Sequence, residues 1–422
     1  MSVLKSLKEA LGGEKKDTYA RGESSNEYVQ SALKALTYGD VDDRWNAVRA
    51  IGELGEPFVE PLVRALTDEY WIVRRGAGDS LVKIGYPAIP SLIKMLENGE
   101  EDVRRETERA LVCIGDPAID PLMNALINEN ALVRRRAVQT LGRIQASKAI
   151  PAIISALNDS DPRVRQEAAS ALSLFADPQA VDPLIDLLKD EHGYVRMAAV
   201  ETLCALGEMA IDPLIHSLGE GTDQVRQRAS LTLVTIGFPA VERLIDELHN
   251  ENPAVVRSCA DILGRIGDQK AIPHLISAMG YTDRNVRREA IDSLAEMGEP
   301  AVLPLIKTFR DGDQTTRHCA MEALWMIGSP ALRPVTDMLT DPSPEVRRRA
   351  ALLLGETGNT QALDPLSRLL ADEYSAVRRE AFEAIESIKS RQAYSRVHSS
   401  GTSQSGEDEY RSGSGQNRPG TW

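Results

Sequence analysis

Aromatic residues are scarce in this sequence: Phe, Trp and Tyr make up 5% of 422 residues. Any core must therefore be built from aliphatic side chains. Cysteine is rarer still. Cys113, Cys204, Cys259 and Cys319 lie far apart with no CxxC pair, which excludes a disulfide framework and fits a reducing compartment. No stretch reaches the roughly 18 uncharged apolar residues of a membrane span. The opening MSVLKSLKEALGGEKK lacks the apolar run and cleavage site of a secretory signal. These absences predict a cytoplasmic protein. Positive charge is the minority sign: 49 Lys and Arg against 63 Asp and Glu leave a net charge of −14. That balance argues against a protein that coats nucleic acid, because phosphate binding needs a positive field. There is no Gly-rich phosphate loop, no GxSxG and no paired Cys–His nucleophile. The sequence assigns no catalytic residue, and the reading leans away from an enzyme.

What is present is a repeat. The segment VRRGAGDSLVKIG at Val73–Gly85 recurs as VRRETERALVCIG at Val103–Gly115 and VRRRAVQTLGRIQ at Val133–Gln145. Further copies begin at Val164, Val195, Val225, Val286, Thr316, Val346 and Val377. A degenerate copy begins at Asp43, and one near Val255 and Val256 carries its Arg one place later, at Arg257. Twelve copies thus follow one another in steps of 30 or 31 residues. Each reads as one helix, with Ala77 and Leu81, or Ala137 and Leu141, on one face. Asp68, Asp161, Asn252 and Asp341 are placed to cap it, and Pro162, Pro253 and Pro342 to take the first helical position. The closing glycines Gly85, Gly115, Gly207, Gly237, Gly298, Gly328 and Gly358 suit a left-handed helix end.

A second helix follows each first one, with the pattern PLVRAL at 61–66, PLMNAL at 121–126 or PLIDLL at 183–188. One such pair cannot bury its apolar faces alone, so successive pairs must stack into a single continuous core. The repeats span residues 27–390, with Tyr28–Leu36 as a cap on the open N-terminal end. Residues 1–26 read as a flexible segment, with 12–25 as linker and Val3, Leu4, Leu7 and Leu11 forming a short amphipathic stretch. Residues 391–422, rich in Ser and Gly, read as a disordered tail.

The frame VR-x-x-A-x-x-x-L-x-x-IG followed by PAI-x-PLI-x-x-L resembles HEAT-like repeats, specifically the phycobilisome-lyase type. The resemblance implies an all-α, right-handed α-solenoid of about twelve two-helix repeats. It also brings several different activities: bilin lyase subunits, deoxyhypusine hydroxylase, HEAT-like DNA glycosylases, and adaptors without chemistry. Deoxyhypusine hydroxylases carry His-Glu pairs in the first-helix frame that bind two iron ions. The matching dipeptides here are Arg105-Glu106, Gln166-Glu167, Arg288-Glu289 and Arg379-Glu380, where no His precedes the Glu. His318 is followed by Cys319, and the six His form no HExxH. The expectation is therefore no metal and no cofactor, with those Glu on a solvated helix face paired to nearby Arg.

Two sets of side chains stand out as candidates for interaction. The first is one Arg per repeat after the Val: Arg44, Arg74, Arg104, Arg134, Arg165, Arg196, Arg226, Arg287, Arg317, Arg347 and Arg378. A guanidinium fork at each step predicts a structural ladder, bridging an Asp or helix-end carbonyls of the next repeat. The second set is the changing pair on the second helices, from Arg64-Ala65 and Lys94-Met95 through to Lys307-Thr308 and Arg368-Leu369. From it, Asp186, His216, Asp246 and Lys307 are candidate partner-binding residues. Trp45, Tyr70, Trp71 and Trp325 join them as rare aromatics. The leading expectation is a non-enzymatic scaffold that binds a protein or peptide on a concave second-helix face. The alternative, carried by the resemblance, is a lyase-like enzyme or chaperone-type subunit acting on a protein-bound chromophore. The oligomeric state stays open.

Overall fold

The structure is a computed structural model that describes residues 20–97, 100–357 and 359–400, with side chains from 27 to 392. The described residues form helices and turns and contain no strand. A first helix of typically 14 residues, such as Trp71–Ile84 or Ala131–Ile144, alternates with a shorter second helix, such as Ile89–Met95 or Val181–Leu187. The turn between them is built by its sequence. Gly85 sits at φ 74° and ψ −130°, a backbone region open to glycine, and its carbonyl accepts the Ala88 N–H at 2.9 Å. A short 3-10 turn, Tyr86–Ala88, then carries the chain into the second helix. The closing glycines thus use positive φ, but with ψ far from the left-handed helical value expected; Gly358 lies outside the described residues.

The caps divide. Asp161 accepts the Arg163 N–H and Asn252 the Ala254 N–H, each with a Pro at the first helical position. Asp68 and Asp341 instead accept from Tyr70 and Ser343, two residues on, and close tight turns just ahead of the helix. The helix there begins at Pro344, so Pro344 and not Pro342 takes the first position.

The chain divides into two compact units, residues 1–240 and 241–422. In the first, Leu62, Val73, Ala77, Leu81, Leu111 and Leu141 are fully buried; in the second, Val256, Ala260, Leu263, Leu275 and Leu305 are. Aliphatic packing of this kind needs no aromatics, which is why so few suffice. Small residues bring first helices of neighbouring repeats close together. A Cβ on Gly264 would fall 2.6 Å from the Ser293 Cβ, and the Ser293 hydroxyl donates to the Ala260 carbonyl at 2.9 Å. The first unit repeats the device with Ser80 on the Val48 carbonyl and Thr202 on the Ala169 carbonyl.

The ends differ from expectation where they are described. A helix runs Ala20–Tyr38, starting inside the stretch read as linker, and packs on Val41–Gly52. The last helix runs Ser375–Ser400, ten residues into the expected tail. No Gly or Pro interrupts 375–400, so nothing stops the helix before Gly401. That helix is the twelfth first helix, and eleven of the twelve are followed by a second helix among the described residues. The amphipathic stretch at 3–11 and residues 401–422 lie outside the described residues.

Candidate partner-binding surface

The conspicuous arginines are held in a repeated geometry. Seven of the eleven, Arg74, Arg134, Arg165, Arg196, Arg287, Arg347 and Arg378, use Nη1 to donate to the carbonyls five and six residues earlier, in the turn that leads into their own helix, and Arg44 and Arg317 reach the one five residues earlier. Arg134 donates to the Asn128 and Glu129 carbonyls at 2.8 and 3.0 Å, Arg196 to Asp190 and Glu191, and Arg287 to Tyr281 and Thr282. In four copies the other side of the fork grips an Asp 24 or 25 residues on. Arg134 meets Asp159 at 2.7 Å, Arg165 meets Asp190 at 2.7 Å, Arg347 meets Asp372 at 2.7 Å and Arg44 meets Asp68 at 2.8 Å. The Asp carbonyl then receives the next Arg, as Asp159 receives Arg165 at 2.8 Å. Arg74 pairs with Asp102, Arg104 with Glu101 and Arg226 with Asp223. Arg317 donates to the Gly312 carbonyl and Arg378 to those of Asp372 and Glu373. The carbonyls therefore belong to the same repeat; the carboxylate belongs to the next one for Arg44, Arg74, Arg134, Arg165 and Arg347, and to the same helix for Arg104 and Arg226.

Charge follows geometry. The Arg347 fork holds the Asp372 carboxyl below its ordinary value. For Asp159 and Asp190, burial pushes upward, but the Arg134 and Arg165 forks outweigh it and leave both carboxyls lowered.

A second ladder runs beside the first. In three copies the residue after the ladder Arg meets a Glu 31 or 32 places on: Arg75 with Glu106, Arg135 with Glu167 at 3.1 Å, Arg348 with Glu380 at 2.9 Å. These Glu side chains are only 15%, 17% and 12% exposed, so the solvated face expected for them is a packed seam between repeats. Glu289 shares it: burial pushes its carboxyl up, against the pull of Arg257. In the first repeat the pair becomes Trp45 and Gly76. A Cβ on Gly76 would fall 2.9 Å from the Val48 Cγ2 and 3.4 Å from the Trp45 ring, so the missing side chain makes room chiefly for Val48. The Arg49 guanidinium lies over that ring, 4.7 Å from its centroid.

On the second helices the changing pair splits. The first member is exposed in every copy: Arg64, Lys94, Asn124, Ser155, Asp186 and His216 in the first unit, and Asp246, Ser277, Lys307, Asp337 and Arg368 in the second. The second member is mostly buried, as at Ala65, Ala125, Ala156, Leu187, Ala278 and Leu369. The variable surface is thus one residue per repeat rather than two. Asp186 pairs with Lys189 at 2.8 Å, His216 with Glu220 at 3.1 Å and Asp246 with Arg243 at 3.1 Å.

The candidate aromatics lie elsewhere. Tyr70 and Trp71 are exposed at the start of a first helix, with Arg44 over the Tyr70 ring at 5.3 Å. Trp71 borders a shallow cavity with Arg74, Arg75 and Arg105. Trp325, half exposed near the end of its first helix, donates to the Glu356 carbonyl of the next repeat at 3.3 Å. The structure therefore does not bring the aromatic and second-helix candidates into one site. Among the described residues no three His, Cys, Asp or Glu converge as metal ligands, and no helix is long and apolar enough to cross a membrane.

Comparisons with known proteins follow the same lines. No curated protein matches the sequence. Among solved structures, an engineered protein shares 22% identity over 86% of this chain and 98% of its own, with a TM-score of 0.26. Human deoxyhypusine hydroxylase in complex with glycerol shares 20% over 59% of this chain and 98% of its own, with a TM-score of 0.25. The complex of CpcE and CpcF of phycocyanin lyase from a Nostoc species shares 23% over 51% of this chain and 91% of the matched chain, with a TM-score of 0.27. The family described as HEAT repeats matches residues 29–112, 119–204, 171–235, 211–281, 241–325, 279–342, 302–386 and 332–400. With matches covering most of its length and an all-helical stack of two-helix units beneath them, this chain belongs to the HEAT repeat family and forms an α-solenoid.

Proposed function

We propose that the protein is a non-enzymatic scaffold that binds a protein or peptide along its second-helix face. One observation carries this reading. Every second helix buries the same aliphatic position, such as Leu92, Leu184 or Leu305, and exposes beside it a residue that changes in charge and size from repeat to repeat. A frame that holds its packing constant while varying one outward side chain per step suits an extended partner more than a small-molecule pocket. The first-helix arginines, by contrast, spend their donors on carbonyls and carboxylates of the frame.

Site-specific photo-crosslinking tests it. A crosslinker at Lys94, Asp186 or Lys307 should capture a discrete protein partner. The same probe at Arg105 or Arg379, on exposed first-helix faces, should not. Capture only from the first-helix positions, or from none, would overturn the reading.

A further inference from the structure

The second unit ends on an uncovered face. Phe382 stands five residues after the Val of the twelfth copy and is 57% exposed, whereas Val48, Val138, Ile291 and Ala351, at the same place in earlier copies, are buried. Leu370 stands seven residues before that Val and is 43% exposed, whereas Leu66, Leu96, Leu188 and Leu339 are buried at the matching place. Both exposures have one cause. The helix Ser375–Ser400 is followed by no second helix and no further repeat among the described residues.

The N-terminal end is finished differently. The helix Ala20–Tyr38 packs on Val41–Gly52 and exposes Glu27, Gln30, Ser31 and Lys34. A polar outer surface is what the end of a repeat stack needs in water. The C-terminal end presents an aromatic ring instead, and residues 401–422 contain no Ala, Val, Ile, Leu, Met or Phe with which to cover it.

The pattern of the face says what fits it. Arg379, Phe382, Glu383 and Glu386 follow one another at i, i+3, i+4 and i+7, all exposed, and so share one stripe of the last helix. Lys389 continues it. Two cations and two anions make the stripe neutral, so it selects no ligand of one sign. Arg379 lies 3.8 Å from Glu383 of its own helix and Lys389 lies 3.4 Å from Glu386, exposed pairs that contribute little by themselves. Reversed end to end, however, the stripe is complementary to itself. About a two-fold axis between residues 382 and 383, Arg379 and Glu386 stand equally far on either side, at about 5 Å along the helix. Each Arg379 then faces the Glu386 of the other copy, and the two Phe382 rings meet at the centre. Such reciprocity, where one residue meets a second and the second meets the first, is what a two-fold contact between identical chains requires.

We propose that this end is a homodimer contact: the last helices of two copies pack antiparallel about Phe382, with two Arg379–Glu386 pairs across the axis. In that register residue 390 of one copy lies opposite Ser375 of the other, so the rest of the helix to Ser400 runs past the partner copy's helix start, toward its Leu370. The contact joins two identical ends and therefore closes at two chains. It stands apart from the scaffold reading, whose partner is a different protein.

Sedimentation equilibrium on the full chain tests it, and should report a dimer. Phe382→Asp should raise the dimer Kd about tenfold or more, with the helical circular dichroism unchanged because that side chain is exposed. Arg379→Glu and Glu386→Arg should each weaken the dimer, since like charges then face each other twice. The double variant Arg379→Glu, Glu386→Arg should restore it, which a merely damaged fold would not do. Phe238→Asp, at an exposed ring in the first unit, should change nothing. A monomer at all concentrations, a dimer indifferent to Phe382→Asp, or a double variant no better than its parents would overturn the proposal. So would a Phe382-dependent complex with a different protein in place of the dimer. A crosslink from Arg379 to a second copy, recognised by its mass, supports this contact, while the scaffold reading stands or falls on the second-helix positions.

Discussion

The Tyr281 hydroxyl donates to the Asn250 carbonyl at 2.9 Å across one repeat. In other copies the corresponding carbonyl is served by the ladder Arg six residues on, as Asn128 is by Arg134 and Asp341 by Arg347. Here that Arg position is Val256, which is fully buried. Tyr281 stands 25 residues after Val256, where Asp159, Asp190 and Asp372 stand after their own arginines. An ionic Arg–Asp rung has been replaced by an apolar residue and a phenol, and the carbonyl keeps a donor.

Removing that donor should be measurable. Tyr281→Phe should cost about 1 kcal/mol in urea unfolding, the usual worth of one hydrogen bond. The double variant Val256→Arg, Tyr281→Asp should be more stable than the sum of its single changes implies, because the two sites form one rung. Strict additivity would contradict this.

The Arg–Asp rungs set an acid limit. Asp372 is held below its ordinary value of 3.8. A carboxyl lowered by folding adds stability above that ordinary value, and the gain is lost as pH falls through the lower, folded value. Glu108 has the opposite sign. Burial pushes its carboxyl up despite the Arg136 guanidinium at 2.9 Å, so its contribution falls as pH rises from its ordinary value of 4.5 toward its folded one. Urea midpoints between about pH 3 and pH 7 should show Asp372→Asn flattening the acid loss. Glu108→Gln should remove the opposing slope.

The fully buried Leu141 packs in a stack with no aromatic reserve to fill a void. Leu141→Ala should cost about 2–5 kcal/mol, read from the shift in urea midpoint. A cost near zero would show that neighbouring repeats close over the gap.

Thiol chemistry should rank by burial. Cys113 is exposed, whereas burial pushes the Cys259 thiol up to about 12. An aromatic disulfide reagent at neutral pH should therefore label Cys113 at once and Cys259 only on unfolding, since the thiolate is the reactive form. Rapid native labelling of Cys259 would contradict its burial.

Much of this frame was legible in the sequence because it is local. The 30- or 31-residue period, the Ala and Leu of each helix face, and the Gly and Pro at its ends act within a turn or two of themselves. The candidate surface was only half legible. Arg64 and Ala65 stand side by side as variable residues, yet one is exposed and the other 6% exposed, because the helix rotates its second member into the stack. Glu106, Glu167 and Glu380 look like surface charges, but their Arg partners sit 31 or 32 residues away on a neighbouring helix. The 25-residue offset of the Arg–Asp rungs was a usable signal that only becomes meaningful once the helices are stacked.

By itself, then, the sequence determined the unit: two helices, a glycine-closed turn, an aliphatic core and a repeat that must stack to bury it. Only the tertiary structure decided which polar groups spend their hydrogen bonds on the frame and which, like Arg64 and Lys94, remain available. The physical reason is that a side chain's partner in a stacked repeat lies one period away. Its burial is therefore set by the neighbouring helix and not by its own.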